Sequence, residues 1–214
     1  PLCNAVTGRS DGYRLLDHLV ESNLFIVPLD DAGQWYRYHH LFSDVLRHRL
    51  QLQSPEAVPQ LHQRASRWFE AQGMIEQALD HALAAEDMNR AGSLLAAISR
   101  DLLKHGNVLT LETWLDALPA DRISGSPDLS LAYGWLNAVR GRGRFVRQYA
   151  DFAERVLESA PPAEQVRLQG ELAALRVQVA MSEGDLQRTV ELGQAALNQL
   201  SPDDANMRGI VALN

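Results

Sequence analysis

From Pro59 onward, apolar residues recur three and four positions apart, in stretches long enough for helices, and a glycine interrupts them at nearly regular intervals. Gly73, Gly106, Gly143 and Gly184 are each followed two positions later by an apolar residue (Ile75, Val108, Phe145, Leu186) and lie 33, 37 and 41 residues apart. Such a period predicts stacked helix pairs. The first helix of each pair carries a stripe: Leu61, Ala65, Trp68 and Phe69; then Ala91, Leu94, Leu95 and Ile98; then Leu131, Trp135, Leu136 and Val139; then Leu168, Leu172, Leu175 and Val179. Three of the second helices carry theirs at Ile75, Ala78, Leu79, Ala82 and Leu83; at Phe145, Tyr149, Phe152 and Val156; and at Leu186, Val190, Leu197 and Leu200. Glycine suits the turn because it adopts the left-handed conformation that ends a helix without a Cβ clash.

The first fifty residues follow another pattern. PLCNAVTGRSDG has no capping signal and reads as irregular. Ser10 or Asp11 can then cap a short amphipathic helix carrying Leu15, Leu16, Leu19 and Val20, which ends near Asn23. Leu24 to Val27 form a β-branched and aromatic run stopped by Pro28, and Asp30, Asp31 and Gly33 supply a turn before Trp35 to Tyr38. Leu41, Val45, Leu46 and Leu50 return to helical spacing until Ser54 and Pro55 break it. The expected fold is mainly α: a winged-helix-like domain with one β-hairpin over residues 1–53, a linker at 54–58, and a right-handed helical solenoid over 59–214. Both ends read as cut from a longer polypeptide.

Composition narrows the function. A formal net charge of -7 argues against a surface built to neutralise phosphates along the whole chain. One cysteine, Cys3, allows no internal disulfide, and with no apolar run of membrane-spanning length the cytoplasm is the expected location.

Candidate chemistry centres on His39 and His40, adjacent at the expected start of a helix, where free N–H groups and a partial positive charge favour phosphate. A plainer role, capping the helix and packing beside Tyr36, accounts for the same residues. His40, Asp44 and His48 recur every four residues, but the helical rise spreads them over about 12 Å, too far for one metal ion, so no metal is expected. His18, His62, His81 and His105 stand singly and read as surface residues, and no nucleophile–base arrangement suggests an enzyme. Arg37, Arg47 and Arg49 make residues 35–50 locally basic, which raises direct DNA binding by residues 11–53, although Asp30, Asp31 and Asp44 flank the patch.

The segment GDLQRTVELGQAAL and the glycine period resemble tetratricopeptide (TPR) helix pairs; Gly73 to Ala85 fits best, with Ala78 and Ala85 at the small positions, whereas Gln148 and Arg155 depart from the pattern and Pro119 shortens the Gly106 unit. Taken together, LLDHLVESNLFIVPLDDAGQWYRYHHLFSDVLRHRL, LHQRASRWFEAQGMIEQALDHALAAED and TLETWLDALP resemble the large ATP-binding, LuxR-family transcriptional regulators of the maltose-regulator (MalT) type, a class of signal-transducing ATPase. The resemblance implies a winged helix and the start of a TPR-like sensor. It implies an upstream NTPase domain that binds ATP or ADP with Mg, a small-molecule or protein effector on the helical repeats, self-association on activation, and DNA contact only through a downstream LuxR-type domain; no cofactor or membrane contact is expected of this chain itself. By the same resemblance, a histidine at the start of a winged-helix helix contacts the ADP phosphate and holds the inactive state, and Tyr38-His39-His40-Leu41 stands at that place, with His39 the nearer match and His40 where the motif has an acidic residue. The alternative is a TPR-like scaffold for protein partners with no link to nucleotide.

Overall fold

The structure, a computed structural model, describes residues 1–30, 35–200 and 205–212. They form two compact units, Pro1–Ala91 and Gly92–Asn214. The expected turn residues Asp31 and Gly33 lie outside the described residues.

In the first unit the segment expected to be irregular is a helix, α1 (Leu2–Thr7), closed by Gly8 at φ 72°. No side chain caps its start; the helix is held by packing on α4 (Ala57–Ala71), where the Arg64 guanidinium donates to the Val6 carbonyl at 3.1 Å. Local sequence signals could not show that tertiary support. Helix α2 (Gly12–Glu21) begins after Asp11, but the Asp11 carboxylate turns away to a bidentate pair with Arg9 at 2.8 Å. Asn4 of α1 supplies an acceptor instead, taking the Gly12 N–H at 2.8 Å, and a Cβ on Gly12 would sit 2.4 Å from that oxygen.

Strands β1 (Ile26–Pro28) and β2 (Tyr36–Tyr38) pair antiparallel, with Ile26 opposite Tyr38 and Pro28 opposite Tyr36. The expected hairpin is present, two residues shorter at its start, and Pro28 is its last paired residue instead of its stop. The Asp30 carboxylate accepts the Trp35 N–H at 3.0 Å. Helix α3 (His40–Gln53) ends at Ser54, and α4 leads through Gly73 into α5 (Ile75–Ala84). Between α4 and α5, Ala65, Phe69, Ala78, Leu79 and Ala82 are buried, as their spacing predicted. Full burial of a leucine such as Leu79 contributes about 1.5–3 kcal/mol.

Helix α6 (Met88–Lys104) runs through the boundary of the units; α7 (Val108–Ala117), α8 (Ala120–Ser124), α9 (Pro127–Val139), α10 (Gly143–Glu158), α11 (Pro162–Ser182), α12 (Leu186–Gln199) and α13 (Ala205–Ala212) complete the second. Antiparallel neighbours α9–α10 and α11–α12 pack along their lengths, and α10 packs on α11. Leu168, Ala174 and Leu175 of α11 are fully buried, because α9, α10, α12 and α13 all lie against that helix.

The helix pairs are joined by one repeated turn. At Gly73, Gly106, Gly141 and Gly184, φ lies between 68° and 75°. Each glycine N–H bonds three residues back and the next N–H five residues back, as in Gly184 to Met181 and Asp185 to Ala180. The third turn glycine is therefore Gly141, and the expectation of Gly143 is corrected. Gly143 opens α10 for another reason: a Cβ there would meet Ser182 Cβ at 2.7 Å and Oγ at 2.8 Å, so its absence lets α10 and α11 approach closely. The buried face of α10 is Val146, Ala150, Ala153 and Leu157, each one position beyond the expected Phe145, Tyr149, Phe152 and Val156. On α12, Leu186 and Val190 are exposed, and Thr189 and Ala196 occupy the buried face instead.

Candidate functional site

The junction of β2 and α3 brings together the residues singled out in sequence. Hairpin pairing places Tyr38 opposite Ile26, and the next residue, His39, donates its backbone N–H to the Phe25 carbonyl at 2.7 Å. That bond ends the hairpin and turns the chain into α3, whose first backbone bond runs from Ser43 N–H to the His39 carbonyl at 2.9 Å. His39 thus occupies the N-cap position with extended backbone (φ -54°, ψ 134°), but no side chain caps the helix. The expected capping role for the imidazoles is not what they do. Both rings are exposed and lie against each other, with centroids 4.4 Å apart. The first turn of α3 keeps the N–H groups that a helix leaves free at this end, where the macrodipole is positive.

Beside His39 opens a shallow hollow of about 340 Å³ lined by Phe25, His39, Leu41, Phe42 and Val45. Phe25 lies just before β1 at φ 55°, a conformation unfavourable for a bulky side chain, and its ring rests on Phe42 at 5.3 Å. The Tyr38 ring also lies against Phe42, with centroids 5.8 Å apart. Leu41 and Val45, whose spacing suggested a core stripe, are 63% and 61% exposed, and Phe25 is 63% exposed. Helical periodicity located this face correctly but could not show that it is uncovered. In sequence Phe25 reads as one more residue of the Leu24–Val27 strand run, and nothing local signals its exposed place beside His39.

The charged residues of α3 lie outside the lining of the hollow. Arg47 pairs loosely with Asp44 at 3.5 Å, both largely in solvent, so the pair contributes little to stability. His40, Asp44 and His48 are all exposed along α3, and among the described residues no group of three or more His, Cys, Asp or Glu side chains could hold a metal ion. Free helix N–H groups, two imidazoles and an apolar hollow can together receive an anionic group carried by a partner that covers the apolar surface.

Two other expectations meet the structure differently. His62 and His81, read as separate surface residues, face each other across α4 and α5 with their Nδ1 atoms 2.8 Å apart. Tyr133, Tyr149 and Phe152 form an edge-to-face row, with the Tyr133 hydroxyl donating to Asp116 at 2.5 Å; burial and that carboxylate hold the Tyr133 phenol well above its usual range. Among the described residues no helix is long and apolar enough to cross a membrane.

Comparison with known proteins agrees with the architecture. Residues 1–58 match the family model of the MalT winged helix domain. Over 195 residues, 91% of this chain, the sequence is 33% identical to the HTH-type transcriptional regulator MalT of Cronobacter sakazakii; the chain spans 21% of that relative's length.

Proposed function

The chain is MalT-like and opens on that family's winged helix domain, and from this premise we propose that it is the winged helix and the first part of the sensor of an ATP-dependent transcriptional regulator. What carries the reading is the 33% identity sustained over 195 residues, which runs well past the winged helix into the helix pairs. In this proposal the chain works in the cytoplasm, regulates, and catalyses nothing itself.

A nucleotide-binding domain outside this chain docks over Phe25, Leu41 and Val45, burying the exposed apolar surface. Docking brings the phosphates of bound ADP to His39 at the start of α3, with His40 beside it. The exposure of that apolar face and of both imidazoles supports this role. ADP bound in this way holds the closed, inactive state; ATP and an effector on the helical pairs favour the open, self-associating one. Full conversion between the two states requires each ligand to prefer its own state by about 5.5 kcal/mol.

The test uses the intact regulator. A charge-assisted hydrogen bond contributes about 1.5–3 kcal/mol, so His39→Ala should weaken ADP binding roughly 10- to 100-fold and raise basal transcription. Unchanged ADP affinity together with unchanged basal transcription would sink the proposal.

A further inference from the structure

His62 on α4 and His81 on α5 are 19 positions apart in sequence, and the packing of those helices brings their rings together. The Nδ1 atoms stand 2.8 Å apart, with ring centroids 5.0 Å apart and planes 38° from parallel. Phe69 lies flat against His81, its centroid 5.3 Å away and its plane 12° off, which fixes that ring. Two nitrogens this close need a hydrogen between them. One histidine is therefore protonated on Nδ1 and the other accepts there, so the two rings hold opposite tautomers.

A metal ion is the other occupant such a pair could take, and the geometry argues against it. Two imidazoles sharing an ion aim their nitrogens at a third point about 2.0–2.1 Å from each. Here the 5.0 Å centroid separation is close to the largest that the 2.8 Å contact permits, so both nitrogens lie near the line joining the rings and point at each other. A proton fits that line.

We propose that the His62–His81 contact is a proton-sensitive latch joining α4 to α5, closed while a single hydrogen lies between the two Nδ1 atoms and opened when both carry one. A neutral pair keeps the bond, and so does a pair with one added proton, as imidazolium to imidazole. Two imidazolium rings present N–H against N–H and must part.

Surrounding charges set the response. Arg47 of α3 acts on His62 and disfavours its charged form, while Asp80, beside His81 on α5, opposes the effect of His62 on His81. Helix α1, also packed on α4, carries no charged side chain, and Cys3 is its one titratable side chain. Arg90 is engaged with Glu70 and Ser66. Burial is the first cause lowering both histidines below 6.5. The unfolded chain then binds more protons than the folded one, so stability is full above pH 6.5 and declines as pH falls below that value toward the lower folded values, while the latch itself opens at the second protonation of the pair.

Long-range proton–nitrogen NMR spectra of the 214-residue chain test the latch. At pH 7.5 they should show one Nδ1–H and one Nε2–H tautomer, and on acidification two steps about one pH unit or more apart. In His62→Gln the remaining ring should titrate in one step, nearer the ordinary histidine value, and the fall in thermal midpoint on acidification should shrink. The same tautomer on both rings, or a joint titration at the ordinary value, overturns the latch. Stoichiometric displacement of both ring signals by zinc chloride also overturns it, in favour of a metal site. If the Gln variant does not fold, the wild-type spectra decide alone.

Discussion

Gly143→Ala is the substitution that separates the two kinds of glycine in the repeated turns. Gly143 opens α10 in an ordinary helical conformation, so alanine there carries no backbone penalty and would raise helix propensity by about 1 kcal/mol. Against that gain stands the added methyl, 2.7 Å from Ser182 Cβ and 2.8 Å from Ser182 Oγ. Ser182 Oγ can rotate away, but Ser182 Cβ is fixed to the α11 backbone, so α10 and α11 must separate, and overpacking of this kind costs about 1–3 kcal/mol. The net expectation is a loss of about 1 kcal/mol in urea unfolding followed by far-ultraviolet circular dichroism. A second change makes the prediction sharper. In Gly143→Ala/Ser182→Gly the nearest remaining atom is Ser182 Cα at 4.0 Å, an ordinary contact, so the two changes should couple favourably by about 1 kcal/mol. Ser182→Ala, which keeps Cβ, should show little such coupling. A Gly143→Ala chain as stable as wild type, or equal coupling with Ser182→Ala and Ser182→Gly, would refute the close-approach argument.

Other substitutions test the remaining structure by the same unfolding measurement. Glu86 ends α5 at φ 55°, with the bond pattern of the glycine turns, and Glu86→Gly should stabilise by about 0.5–1 kcal/mol; a loss of stability would contradict the strain. Glu171, its side chain only 8% exposed, pairs with Arg100, which is 34% exposed and partly reached by water; Glu171→Ala should cost about 2 kcal/mol, and a change below 0.5 would contradict the burial. Leu41→Ser/Val45→Ser should leave stability within about 0.5 kcal/mol each, because neither side chain is covered in this chain; a loss of several kcal/mol would place them in a core.

What sequence could reveal was set by the range of each signal. Helices α4 and α5 were legible because the 3.6-residue period, the turn glycine and the small residues Ala78 and Ala85 all agree. The hairpin and α3 were legible from composition and breakers. Helix α1 was not, since its support is Arg64 and the face of α4, more than fifty positions away. At α10 the sequence offers Gly141 and Gly143 within three residues, and only the backbone shows which takes the left-handed turn; the large aromatics Phe145, Tyr149 and Phe152 also share one helical spacing, while the buried face lies one position on, at Val146, Ala150 and Ala153. His39 and His40 were found because adjacency and a helix start are local features. The His62–His81 pair was not, because nothing in the sequence states how two residues on different helices meet.

In the proposed regulator His39 touches a nucleotide phosphate, and everything else in the switch depends on that contact. A crystal structure of that protein with bound ADP tests it most directly. A ring nitrogen of His39 is expected within about 3.2 Å of an ADP phosphate oxygen, with Phe25, Leu41 and Val45 covered by the proposed nucleotide-binding domain. ADP bound with the His39 ring in solvent and that apolar face still open would contradict it.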